Sequence, residues 1–95
     1  MVTLLNNLLK LRRKRNSFEI IRLELEQYLS KKQLDFIDEL YENNEVGLAL
    51  EFICSYIEDN DISISKVLYE LLKDYMNQLS LVQNIEFYNI RVDKL

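Results

Sequence analysis

Apolar residues recur at spacings of three and four along most of the chain, the mark of amphipathic helices rather than strands. Leu4, Leu5, Leu8, Leu9 and Leu11 fall on one stripe and predict a helix over 3–14. Asn16 and Ser17 then interrupt the pattern, with Ser17 placed to cap the next helix. Phe18, Ile21, Leu25, Tyr28 and Leu29 predict that second helix over 18–29, with Ile20 and Leu23 to its side. Ser30 suits the N-cap of a third helix over 31–42, whose inner face is Leu34, Ile37, Leu40 and Tyr41. A helix running unbroken through Ser30 is the alternative, since nothing there forbids it. Asn43 and Asn44 punctuate the chain next. Either can end a helix in the left-handed conformation, and Asn44 can also cap the following one.

The segment 45–59 is apolar over more than half of its circumference, which predicts a helix buried among others. Phe52, Ile53 and Tyr56 are expected in the core, together with Leu68, Leu71 and Leu72. Gly47 lies in the first turn of this helix, where glycine costs up to about 1 kcal/mol against alanine, so a close packing neighbour is expected. Ser65 fits the N-cap of a last helix reaching about residue 81, with Ile64 and Tyr69 spaced as a hydrophobic staple. From 84 to 92 the pattern alternates. One short strand has no evident partner, so an extended tail packed on the helices is expected. The fold class is all-α: a compact bundle of four to five short helices with a short extended C-terminal tail, forming a single domain over 1–95.

Composition sharpens this reading. With one glycine and no proline in 95 residues, turn-rich β folds and linker-like sequences are excluded. There is no histidine and one cysteine, which removes disulfides, histidine-bearing zinc sites and Ser-His-Asp triads. No apolar run approaches the roughly 20 residues of a membrane span. The basic run 12–15 comes after the apolar N-terminal stretch, the reverse of a secretory signal, so a cytoplasmic location is expected.

The charge of −4 conceals a division. Residues 1–32 carry eight Lys/Arg and three Asp/Glu, and residues 33–95 carry four and thirteen. Between Gln33 and Ser65 there are nine acids and no base. Like charges so close repel unless something compensates; a cationic partner is one answer and a solvated face the other.

The residues for catalysis are missing. Cys54 has no histidine to activate it and sits among apolar neighbours, as a small core residue would. The pairs Asp38/Glu42 and Glu58/Asp59 would need a pocket that drives their pKa values apart. Phosphate-binding loops need several glycines, and the Asp59-Asn60-Asp61 run lacks the glycine and closing glutamate of a calcium loop. The expectation is a protein that is not an enzyme and takes no cofactor or metal. The cluster Lys10, Arg12, Arg13, Lys14 and Arg15 keeps open a small nucleic-acid-binding regulator, against which stands a pI near 4.8. A helical adaptor or oligomerisation module is a third possibility.

One stretch carries more. Glu45, Gly47, Leu48-Ala49-Leu50-Glu51, the acidic end Glu58-Asp59, the cap Ile64-Ser65 and the amphipathic run from Val67 to Leu79 come in order. The run Leu34-Asp35-Phe36-Ile37-Asp38-Glu39-Leu40 leads into them. This pattern, from Leu34 to Leu81, resembles the small bacterial immunity proteins of the MafI type. The resemblance implies a cytosolic antitoxin that binds the toxin domain of its own strain, with a ribonuclease of the EndoU type as the leading target. A nuclease cleft is cationic, so an acidic helical surface is its electrostatic complement.

Charge and spacing name the residues expected to meet such a partner. Asp35, Asp38, Glu39 and Glu42 recur along one stripe of the third helix, and Glu45 lies just beyond it. Glu58, Asp59 and Asp61 cluster where the next helix ends, opposing its dipole at a cost of up to about 1 kcal/mol, which a cationic partner would offset. Tyr41 and Tyr56 lie near these clusters as aromatic anchors if exposed, or as core residues on their apolar stripes.

Overall fold

The computed structural model describes residues 17–93. The helix expected over 3–14 and the basic run 12–15 lie outside the described residues. The first described helix, α1, covers 17–25. It is followed by α2 (Lys31–Glu42), α3 (Val46–Asp59), β1 (Ser63–Ile64), α4 (Lys66–Gln78), a 3-10 turn (Ile85–Phe87) and β2 (Arg91–Val92). The all-α class therefore stands, with one two-stranded addition.

The helix boundaries have local causes. After α1 the chain turns, and the Leu29 N–H bonds the Leu25 carbonyl at 2.9 Å. The unbroken alternative through Ser30 is not what forms. The Ser30 hydroxyl accepts the Gln33 N–H and the Gln33 side chain accepts the Ser30 N–H, so two donors at the start of α2 are satisfied reciprocally. Ser65 caps α4 by accepting the Leu68 N–H at 3.1 Å, and its own N–H donates to the Tyr28 hydroxyl at 3.0 Å. Asn44 does not cap α3. That place falls to Glu45, which makes no side-chain capping bond.

The helix ends share one device. Asn44, Asp61 and Ser80 have φ values of 61°, 53° and 53°, and each sits two residues beyond a helix. After α2, Asn44 N–H reaches Tyr41 O and Glu45 N–H reaches Leu40 O; the same pair of bonds recurs at 61–62 and at 80–81. This is the Schellman closure, usually made with glycine. Here three non-glycine residues take the left-handed position.

Phe18, Ile21, Leu25 and Leu29 face inward as expected, against Leu34, Ile37 and Leu40 of α2. From α3 the core takes Ala49, Leu50, Ile53, Cys54 and Ile57, and from α4 it takes Leu68, Leu72 and Met76. No polar or charged side chain among the described residues is buried. Phe52, Tyr56 and Leu71 depart from expectation: they are only partly buried, packed on the outside of the core. Because α3 is apolar nearly all round, periodicity could not choose which stripe turns outward. Leu81 Cδ2 lies 3.2 Å from where a Gly47 Cβ would stand, so the glycine admits the segment after α4 rather than another helix.

Residues 84–92 are not a plain extended tail. Ile85 of the 3-10 turn is fully buried, and β2 pairs in parallel with β1, Ser63 opposite Arg91 and Ile64 opposite Val92. The Asp93 N–H extends the pairing to the Ile64 carbonyl at 2.8 Å. Parallel strands need a crossover, and α4 supplies it. The last helix ends at Gln78, three residues short of the expected limit.

Candidate functional site

The acidic residues divide by what they touch. On α2, Asp38 receives two bonds from Arg22 of α1, Nε to Oδ1 at 2.8 Å and Nη2 to Oδ2 at 3.0 Å. The bond to Asp38 pushes the Arg22 pKa further above its ordinary value. Asp35 pairs with Lys31, one turn earlier, at 3.4 Å and well exposed. Glu39, Glu42 and Glu45 are exposed, and their side chains make no ion pair or hydrogen bond among the described residues. The α2 stripe is thus half compensated within the fold. Segment charge alone hid this, because Arg22 lies sixteen residues away in sequence.

The acids at the end of α3 have a structural task. Glu58 Oε2 accepts the Asn89 N–H at 2.6 Å. Asp61 meets Arg91 at 3.0 Å, and Arg91 also donates to the Asp61 carbonyl at 2.8 Å. These contacts dock the tail, so the dipole cost needs no partner to offset it. Asp59 is exposed and makes no such contact.

Tyr41 is partly buried and stacks on Phe18, the ring centroids 3.9 Å apart and the planes within 6°, as a core-edge residue. Tyr56 belongs to a different surface. Phe36 and Phe52 meet edge to face at 4.9 Å, and Phe52 and Tyr56 lie 6.0 Å apart, forming an aromatic ridge across α2 and α3. On one side of the ridge, Lys32, Gln33, Phe36 and Tyr56 enclose a depression of about 370 Å³. On the other, Leu48, Glu51, Phe52, Ser55 and Glu58 of α3 face Gln83, Phe87 and Tyr88 across a groove of about 390 Å³. The ridge and groove are apolar at the surface: Phe87 is 67% exposed, Leu48 40% and Phe36 37%.

Sequence reasoning placed Tyr56 and Glu58 here but not Phe36, Leu48, Glu51, Phe52, Phe87 or Tyr88. A signal was present. Positions 48, 51, 52, 55 and 58 mix acids and apolar residues on one helical face, which a core stripe would not do. Phe36 likewise falls outside the Leu34–Ile37–Leu40 stripe of α2.

The electrostatics of the groove are set by Glu51 and Glu58, two turns apart on α3. Burial, then the neighbouring Cys54, Glu51 and Glu58 in that order, raise the Tyr88 pKa. Glu51 is partly buried, yet its carboxylate makes no ion pair or hydrogen bond among the described residues. Cys54, one turn inside, is fully buried and its thiol is pushed up to about 12, chiefly by burial. It cannot serve as a thiolate nucleophile near neutral pH. Among the described residues, no three His, Cys, Asp or Glu side chains gather as metal ligands would, and no helix is long and apolar enough to cross a membrane.

Compared with known proteins, the chain matches no family model, no curated protein and no solved structure. The functional reading therefore rests on the chain's own residues.

Proposed function

We propose that this chain is an immunity protein, a cytoplasmic antitoxin that binds the toxin domain of its own strain and blocks it by occupation rather than chemistry. The observation that carries the reading is the half-exposed aromatic ridge Phe36–Phe52–Tyr56, near carboxylates that make no ion pair or hydrogen bond among the described residues. Exposed aromatics are the residues that anchor protein interfaces, and unpaired acids around them favour a cationic partner. Glu39 lies one turn beyond Phe36, and Glu51 adjoins Phe52. Glu51 and Phe52 line the same groove.

The target is a basic nuclease domain, an EndoU-type ribonuclease first among the candidates on the MafI-type pattern of residues 34–81. Such an enzyme must hold phosphates, so its cleft presents cations to which this face is complementary. Steering would speed association, and the aromatic ridge would slow release.

The reading expects a toxin gene directly upstream of this chain's gene, and the test is co-expression with the toxin domain that gene encodes. Wild-type protein should restore growth. A Phe52→Ala/Glu39→Lys/Glu51→Lys variant, folded by circular dichroism, should not. Equal protection by both would overturn the reading, as would tight, salt-sensitive binding of wild type to short RNA or DNA duplexes without any protection.

A further inference from the structure

We propose that the groove between α3 and the tail is a receptor for an arginine side chain presented by a partner protein. The inference rests on the antitoxin reading and specifies the chemistry of its contact. Three observations lead to it. Glu51 is a partly buried residue whose carboxylate makes no ion pair or hydrogen bond among the described residues, and it lines the groove with the apolar side chains of Leu48 and Phe52. The opposite wall is Phe87 and Tyr88, whose rings lie 5.4 Å apart at 84° and so offer two ring planes at right angles. The other groove carboxylate, Glu58, already accepts the Asn89 N–H at 2.6 Å, which fixes that wall in place.

A carboxylate set beside apolar and aromatic walls gains most from a cation that brings its own donors. A guanidinium does this with two parallel N–H groups and can lie flat on an aromatic ring while doing so. An ammonium offers a point charge and loses more hydration on entering. The charge pattern also selects against a second copy of this chain. Two such faces together would set Glu51 and Glu58 of one copy against the same acids of the other.

The experiment titrates the full chain with the tripeptide acetyl-Ala-Arg-Ala-amide and follows backbone amide shifts by NMR. The amides of Leu48, Ser55, Gln83 and Tyr88 should move together and saturate. The lysine tripeptide should bind more weakly, and the citrulline tripeptide, isosteric but uncharged, should not saturate. Glu51→Gln, a surface change that leaves the fold intact by circular dichroism, should weaken arginine binding about tenfold. Shifts scattered over the surface, or equal shifts with citrulline, would overturn the proposal. So would saturation seen only after Arg12, Arg13, Lys14 and Arg15 are replaced by glutamine, because the occupant would then be this chain's own N-terminal segment. Arginine binding without protection against the upstream toxin would leave the groove chemistry standing and remove the antitoxin reading. Protection without arginine binding would do the reverse.

Discussion

Phe52 and Ile53 are neighbours on α3 with opposite fates, and truncating each to alanine separates core from interface. Ile53 is fully buried. Its replacement leaves a sealed cavity, and such changes cost about 2–5 kcal/mol, the upper half applying where the site cannot collapse. Phe52 is only partly buried and borders an open groove. Water can fill the space it leaves, so the cavity penalty is absent. What remains is part of the roughly 1.5–3 kcal/mol of a buried side chain, plus the ring contact with Phe36, together about 2 kcal/mol. Ile53→Ala should therefore cost about 1.5 kcal/mol or more beyond Phe52→Ala, although phenylalanine is the larger residue. Urea unfolding followed by circular dichroism, with equal m-values as the check on two-state behaviour, measures both. Domains of this kind are stable by only about 5–15 kcal/mol, so the difference is easily seen. If Phe52→Ala is as costly as Ile53→Ala, Phe52 is a core residue and the ridge is not a free surface.

The helix ends, the ion pairs and the cysteine give further expectations. Ser80→Gly should stabilise the fold by about 0.5–1 kcal/mol in thermal unfolding, because serine holds φ 53° in the left-handed closure after α4. A double-mutant cycle on Arg22 and Asp38 should give a coupling of about 0.5–1 kcal/mol, since the pair is bidentate but partly exposed. Cys54 should make stability fall with pH on the alkaline side. The folded thiol holds its proton up to about 12 while the unfolded thiol releases it near its ordinary value of 9.0, so the unfolded state binds fewer protons between those values. Cys54→Ala should flatten that slope between pH 9 and 11, and an unchanged slope would show that the thiol contributes nothing.

Much of the helical scaffold was legible because its signals are local. Ser30 and Ser65 announce their helices through spacing to their own first turns, and the inner stripes of α1, α2 and α4 read directly from three-and-four periodicity. What stayed hidden was non-local. The β1–β2 pair joins residues 63–64 to 91–92, and two-residue strands carry no pattern of their own. Arg22 neutralises Asp38, and Arg91 meets Asp61, only because the fold brings distant segments together. Hence nine acids without a base looked more uncompensated than they are. On α3 the apolar excess itself concealed the ridge, since Phe52 is as apolar as Ile53 and Tyr56 falls within the same nearly unbroken apolar run. The surface proposed for a partner shifts accordingly, from the whole α2 stripe toward Glu39, Glu42 and the Glu51 groove.

The central proposal is that this surface recognises a cationic protein through aromatic anchors acting together with acids that have no partner among the described residues. Stopped-flow association of the upstream toxin domain with wild type, Phe36→Ala/Phe52→Ala and Glu39→Gln/Glu42→Gln/Glu51→Gln, at low and high salt, tests it most directly. The acid-neutralised protein should associate more slowly at low salt and match wild type at high salt, while the aromatic variant should associate normally and dissociate at least tenfold faster. Association rates that ignore both salt and the three acids, with a dissociation rate untouched by loss of the two rings, would contradict the account.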